Sequence, residues 1–458
     1  MQGTILILDG VATNRIMLKV QLSAAYYRIV QGVDLASLPD LLNRARPDLI
    51  LTAMKLPDGT AAGVKAMVST NPALAGIPVL AIADQPDRQA MLNALAAGID
   101  DVLVQPLNDL VFQARIRSLM RLRDGSEDLP LDTGRMLGFA EAAPPFTGPS
   151  RVALVTARPE TGLVWRSHLE RATRHGVRNY RMTDVHALMQ DPVPDAIVVE
   201  VPRTNPGPAL ALLSDLCARS ATENCVVIAL ADGASPQCVA DALDRGAQNV
   251  MTTGFDAEEL ALRLDRDLAR KARRDRFRLT VRDGLRAAVL DPMTGLYNRR
   301  YALPYLTSIL HEAAENGSGL ALMMADLDHF KRINDRHGHA AGDAVLVETS
   351  QRLRQLVRPA DMVARVGGEE FLIVARSGSP EQATRLAHRI CAEINARPFQ
   401  LPGAPEPVRV TISIGVVAIG PFSPNRPDVM DLMNQADRAL YESKAAGRNR
   451  FKMIEAAA

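Results

Sequence analysis

The chain has 458 residues and a formal net charge of +1, from 53 Lys and Arg against 52 Asp and Glu. That length accommodates two to four domains with separate cores, and the balanced charge excludes a global field for nucleic acid or an anionic membrane. No apolar run reaches the ~18–20 residues that span a bilayer, so no membrane span is expected. The N-terminus lacks the basic region and apolar length of a signal peptide, which implies a cytoplasmic protein. Cys217, Cys225, Cys238 and Cys391 show no CxxC spacing and read as free thiols in a reducing compartment.

Residues 1–124 alternate short apolar runs with amphipathic helical segments. Thr4–Leu8, Asp48–Thr52, Pro78–Ile82 and Asp101–Gln105 are strand-like. This rhythm predicts a parallel sheet covered on both faces. Residues 125–149, with Pro144-Pro145 and Gly148-Pro149, read as a linker. The rhythm restarts over 150–256, through Arg151–Val155, Ala196–Val199, Cys225–Ala229 and Asn249–Thr252, so the two halves form a diverged tandem repeat. Residues 257–290 are predicted helical, with Leu260, Leu264 and Leu268 four apart. The charged run from Arg270 to Arg276 reads as a solvated helix face; the functional alternative is a stalk that transmits dimer geometry.

The C-terminal part, 291–455, carries the chemistry. Leu320–Asp328 reads as a buried strand ending in acids, followed by His329-Phe330-Lys331-Arg332-Ile333-Asn334-Asp335 and Gly338-His339-Ala340-Ala341-Gly342-Asp343. Asp361–Ala375 holds two apolar runs joined by Gly367-Gly368, with Glu369 and Glu370 directly after. Gly-Gly between strand-like runs predicts a hairpin with paired positive φ angles and acids at its tip. Glycine also lets backbone N–H groups approach a ligand phosphate.

Together with Asp291-Pro-Met-Thr-Gly295, Asn298-Arg299-Arg300 and Tyr441-Glu-Ser-Lys444-Ala-Ala-Gly-Arg448-Asn449, these motifs resemble the GGDEF domain of bacterial diguanylate cyclases. The resemblance implies a nucleotide-cyclase domain with a ferredoxin-like palm that joins two GTP into cyclic di-GMP. It assigns metal binding to Asp326, the Leu327 carbonyl and Glu369, with two Mg2+ or Mn2+ ions per active site. Glu370 stands either as a ligand of the second ion or as the base for a ribose 3′-hydroxyl. Asn334 and Asp343 would read the guanine edge. Lys331, Lys444, Arg448 and Phe330 would contact the substrate, and Lys444 and Arg448, four apart, are expected on one helix face. Asp328 and Asp335 read equally as capping acids, and no role beyond packing is assigned to His339. Asp291 and Asn298–Arg300 read as fixing the entry of the stalk.

Arg358-Pro-Ala-Asp361 alone reads as a surface ion pair. At its offset from GGEEF, and with Arg389, it matches the family's inhibitory site for cyclic di-GMP. Both N-terminal repeats resemble receiver domains of the flavodoxin-like (CheY-like) class. Their phosphoryl-transfer residues are replaced. The first keeps Asp9 but has Gly10 beside it, Ala53 at the acceptor position, Ala83 at the hydroxyl and Gln105 at the lysine. The second has Thr156-Ala157 for the acidic pair, Glu200 at the acceptor, Leu230 at the hydroxyl and Thr253 at the lysine. Glu200 reads as a permanent charge mimic or as a tolerated strand-end residue. The order receiver–receiver–GGDEF is similar to the PleD type of response regulator. The replaced phosphoryl-transfer residues predict phosphorylation-independent regulation, and a homodimer through receivers and stalk is expected, with room for further protein partners. The alternative is a catalytically silent cyclic di-GMP receptor or scaffold acting through Arg358, Asp361 and Arg389.

Overall fold

Runs of branched aliphatic residues build each sheet, and their burial on both faces decides its type. The first sheet contains β1 (Thr4–Leu8), β2 (Arg28–Gly32), β3 (Leu49–Ala53), β6 (Val79–Ala83) and β7 (Asp101–Val104); β4 (Lys55–Leu56) and β5 (Gly59–Thr60) form a small separate hairpin. All five strands are parallel, in the order β2-β1-β3-β6-β7. Ile5–Leu8, Leu49–Leu51 and Val79–Ala81 are buried throughout, as a sheet with helices on both faces requires. The second sheet contains β8 (Arg151–Thr156), β9 (Gly176–Arg181), β10 (Ala196–Glu200), β11 (Val226–Leu230) and β12 (Asn249–Met251). Its order, β9-β8-β10-β11-β12, repeats that of the first and is the flavodoxin-like order.

This computed structural model describes residues 3–71, 74–127, 148–190, 192–376, 379–402, 406–421 and 428–455. Two units divide the chain, Met1–Leu279 and Thr280–Ala458. The helix Asp109–Glu127 runs three residues past the expected end of the first repeat. Most of the expected linker lies outside the described residues.

Within the first unit the two repeats meet through related surfaces. Arg115 and Arg263 occupy equivalent positions in the last helix of each repeat, and both pair with Asp101, Arg263 at 2.8 Å. Arg115 donates to the Gln248 carbonyl at 2.9 Å, while Arg266 donates to the carbonyl of Asp100, which is equivalent to Gln248. Ser118 donates to the Ala247 carbonyl at 3.2 Å, and Arg266 to the equivalent Ile99 carbonyl at 3.1 Å. The tandem repeat is therefore folded about a local near-two-fold axis, with buried charge on it.

The helix Ala257–Val289 covers the expected 257–290 segment. Its charged run is not simply solvated, which corrects the sequence reading. Arg270 pairs with the fully buried Asp100, and Lys271 reaches Asp195 at 3.7 Å and Asp275 at 2.7 Å. A repeat of basic residues cannot reveal that acids distant in sequence will meet it.

The second unit holds a six-stranded sheet ordered β13-β15-β16-β14-β17-β18. Its strands are β13 (Tyr297–Asn298), β14 (Leu320–Leu327), β15 (Met362–Arg365), β16 (Glu370–Ala375), β17 (Ile412–Ile419) and β18 (Phe451–Glu455). The central four, β15-β16-β14-β17, are mutually antiparallel. That is the ferredoxin-like order expected of the palm. β14 is buried along its whole length. Odd-numbered residues from Ala321 to Leu327 join one core with Phe371 and Ile414, and even-numbered ones from Leu320 to Met324 join another with Leu372 and Leu432. Strand alternation thus packs helices on both sides of the sheet.

Candidate active site

The end of β14 and the β15–β16 hairpin bring the acids together. Asp326 lies opposite Glu370 in the antiparallel register, and the Leu327 N–H donates to the Glu369 carbonyl at 3.4 Å. The hairpin itself corrects one expectation. Neither Gly367 nor Gly368 has a positive φ, so the tip is not a two-residue turn of paired left-handed glycines. It is a wider loop, closed by the Val366 N–H on the Glu370 carbonyl at 3.0 Å and by the Arg365 guanidinium on the Gly368 carbonyl at 2.8 and 3.1 Å. Gly367 instead lets the Glu370 side chain pack close against the loop. A Cβ on Gly367 would stand 2.3 Å from a Glu370 carboxylate oxygen, whereas one on Gly368 would face open space.

Asp326 is 6% exposed, and Lys444 holds its carboxylate at 2.7 Å. Burial raises the Asp326 pKa; Lys444 opposes that shift, and the Glu370 and Asp328 charges add to it. Burial also raises the Glu369 pKa, followed by the Asp326 charge, with Lys444 opposing. Two carboxylates in mutual repulsion beside one ammonium form a donor set that fits a divalent cation. Among the described residues no three acidic, His or Cys side chains converge closely enough to enclose an ion unaided. That also fits Mg2+, which takes one or two carboxylates and completes its shell from water and substrate phosphate.

Asn334 lies within one helix, Phe330–His337, and Asp343 early in the next, His339–Leu356; Gly338, at φ 84°, makes the break between them. A Cβ on Gly342 would fall 1.8 Å from the Asn334 carboxamide oxygen. The glycine therefore lets Asn334 lie against the turn that carries the exposed Asp343. Lys331 is exposed, but Phe330 is 7% exposed and its ring belongs to the core. Only the main chain of Phe330 is left to meet a ligand.

Lys444 and Arg448 do not share a helix face. The helix Val429–Ala445 ends before Arg448, Gly447 has φ 119°, and Arg448 and Asn449 are themselves left-handed. The expected four-residue spacing held only in sequence. Asp328, for which the sequence equally allows a capping role, organises the strand ends. Its carboxylate accepts from the Thr411 and Ser413 hydroxyls, each at 2.7 Å, and from the Asn449 N–H at 3.0 Å. Thr411 and Ser413 went unremarked in the sequence, and no local signal marks them.

Asn298 caps two helices at once. Its Oδ1 accepts from the Tyr301 N–H at 3.0 Å, and its amide donates to the Ala288 carbonyl at 3.0 Å. Asp291 accepts from the Thr294 hydroxyl at 2.6 Å and pairs with Arg365 at 3.2 Å. Further along, Asp361 accepts from the Arg358 N–H at 3.0 Å and the Arg376 N–H at 3.1 Å, so it caps a turn and leaves the Arg358 side chain exposed. Arg389 donates to the Leu356 carbonyl, which brings it to the same turn.

In the first repeat Asp9 accepts from the Val11 N–H at 2.7 Å and from Asn14 at 3.1 Å, a helix-entry role. Ala53 ends β3, and Glu200 ends β10 with its carboxylate on the Ala157 N–H at 2.7 Å. Among the described residues no helix is long and apolar enough to cross a membrane.

Two flavodoxin-like sheets followed by a palm with acids at β14 and the GGEEF hairpin define a response regulator with a nucleotide-cyclase output. The comparisons agree. Residues 288–450 match the family model described as "Diguanylate cyclase, GGDEF domain". The chain is 30% identical over 457 residues to the response regulator PleD of Caulobacter vibrioides, covering 98% of each. It is 40% identical over 177 residues to the diguanylate cyclase DgcP of Pseudomonas aeruginosa, covering 39% of this chain and 26% of that protein. A solved structure of the coiled coil and GGDEF domain of DgcB from Caulobacter crescentus, in complex with c-di-GMP, is 28% identical; it covers 43% of this chain and 100% of that one, at a TM-score of 0.38. The chain belongs to the PleD family of response regulators, and it is a diguanylate cyclase.

Proposed function

We propose that two copies of the chain condense two GTP into cyclic di-GMP and two pyrophosphates, each catalytic domain holding one GTP. The register of Asp326 opposite Glu370, with Glu369 beside them, supports this reading most directly. Asp326, the Leu327 carbonyl and Glu369 would hold divalent cations, two per site and Mg2+ or Mn2+ by donor chemistry. Bound there, the cations neutralise charge on the attacking and leaving oxygens. Asn334 and Asp343 take the guanine edge. Lys331 and Arg448 meet the phosphates, with the Phe330 main chain beside them. Lys444, paired with Asp326 at 2.7 Å, would be free to meet phosphate were Asp326 to hold a cation. Glu370 receives the 3′-hydroxyl proton or joins the second cation.

A one-nucleotide site must meet a second copy to make a two-nucleotide product, so dimerisation through receivers and stalk sets the rate. Arg358, Asp361 and Arg389 form the inhibitory site for the product, because the exposed Arg358 guanidinium suits both phosphate and the guanine Hoogsteen edge. Ala53 has no oxygen to phosphorylate, and Glu200 is engaged with the main chain, so regulation is independent of phosphorylation.

Incubation with GTP and Mg2+, followed by nucleotide chromatography, tests the central reading. Cyclic di-GMP should appear and vanish in Glu369→Gln; binding of the dinucleotide without turnover would overturn it. Arg358→Ala should relieve product inhibition. Acetyl phosphate should leave no stable label on either receiver.

A further inference from the structure

The second receiver has a cavity where its phosphoryl-transfer chemistry has gone. It measures about 950 Å³, within the ~300–1,000 Å³ of small-molecule sites. It lies beyond the carboxyl ends of the strands, between Ala157 after β8 and Glu200 at the end of β10. These neighbouring strands flank the point where the strand order reverses, the place where open α/β sheets bind ligands.

Its lining is specific in chemistry. Trp165 and Phe255 stack on one another with centroids 4.9 Å apart and planes 6° from parallel, and this stacked pair lines one wall of the cavity. Arg158 and Arg203 are exposed at the cavity, and among the described residues neither has an acidic partner. The helix Pro159–Ala172 begins at Arg158 with no side-chain cap, and Glu160 in its first turn offsets the positive end of its dipole, so the two arginines carry the positive charge of the cavity. Glu200 and Asp232 supply acceptors; Glu200 uses one oxygen on the Ala157 N–H. In the first receiver Asp9 fills the corresponding strand exit with its own hydrogen bonds. Thr156 and Ala157 bring no carboxylate of their own to that place, and Glu200 reaches it from β10 instead.

We infer that this cavity binds a purine nucleotide, the base against the Trp165–Phe255 wall and the phosphate on Arg158 and Arg203. Carboxylate acceptors favour a base edge with two N–H donors, as guanine has, over adenine, whose ring nitrogen would meet a carboxylate lone pair to lone pair. The site lies in the first unit and does not depend on the cyclase reading of the second.

Trp165 is the only tryptophan in the chain, so its fluorescence reports this cavity in the intact protein. Titration with GMP should quench it saturably, at lower concentration than AMP does. In the Arg158→Ala/Arg203→Ala double variant, whose changes lie at exposed positions, half-saturation should rise about tenfold or more while the melting temperature holds. No saturable change with either nucleotide would overturn the site. A change that survives the double variant would overturn it too, since the signal would then come from nucleotide bound elsewhere. AMP binding as well as GMP would overturn the guanine assignment.

Discussion

Asp326 and Glu369 repel one another, and Lys444 offsets part of that repulsion. The pKa values of Asp326 and Glu369 are both raised, chiefly through burial. A carboxylate raised in the folded state contributes stability that is full below its unfolded pKa and lost as pH rises through the folded one. Without cation, then, the pair weighs against the fold at neutral pH. Glu369→Gln should raise the cation-free melting temperature at neutral pH and leave it unchanged in acid, below the carboxylate range. The same variant should lose the stabilisation by Mg2+ and at least about 100-fold in turnover. A wild-type melting temperature indifferent to Mg2+ would contradict the metal assignment. Gly342 offers a second test. Its Ala variant puts a methyl against the Asn334 carboxamide, and overpacking of this kind costs about 1–3 kcal/mol. The expected result is a raised KM for GTP with a smaller change in kcat, read from steady-state kinetics.

Among elements, legibility followed burial. β14 was evident because eight consecutive residues are buried, and a continuous apolar run says so. β2 and β9 are edge strands of mixed composition, Arg28–Gly32 and Gly176–Arg181, and lack the continuous buried run that marks a central strand. The GGEEF acids were legible as a motif, but the turn geometry was not: glycine tolerates several φ regions, and here it makes room for Glu370. Lys444 and Arg448 are kept off one helix face by Gly447, whose φ of 119° ends the helix between them. Asp328 was illegible for a different reason. Its partners Thr411, Ser413 and Asn449 belong to segments far along the chain, so only the fold brings them together. Asp328→Ala should cost about 3 kcal/mol, because three donors lose a buried charged acceptor. Calorimetry of the second unit's transition would register it, and an unshifted transition would deny Asp328 that organising part.

Across the receiver pair, the contact was legible only as a repeat; the charges that fix it were not. Asp101 is 2% exposed and Arg263 3%, and each is tied to further partners, Arg115 on one side and Glu259, at 2.8 Å, on the other. Burial works against the Arg263 charge, but Asp101 and Glu259 outweigh it and raise its pKa. Burial likewise opposes the Asp100 carboxylate, which Arg270, Lys65 and Arg266 hold far below its usual range. Such a network is worth little against a well-packed apolar core, yet costs about 3–5 kcal/mol when one member is removed and the rest are stranded. Arg263→Met should therefore lower the melting temperature of the receiver unit by roughly 6–20 °C, at about 2–4 °C per kcal/mol for a unit of this size. Molar salt separates this network from the rim. It should weaken the half-exposed Arg117–Asp244 pair, at 2.7 Å, and leave the buried cluster nearly untouched. If Arg263→Met melts with the wild type, or if salt alone reproduces its effect, the two receivers are not held by buried charge. Their near-two-fold contact would then rest on the apolar packing of Ala114 against the second receiver's core.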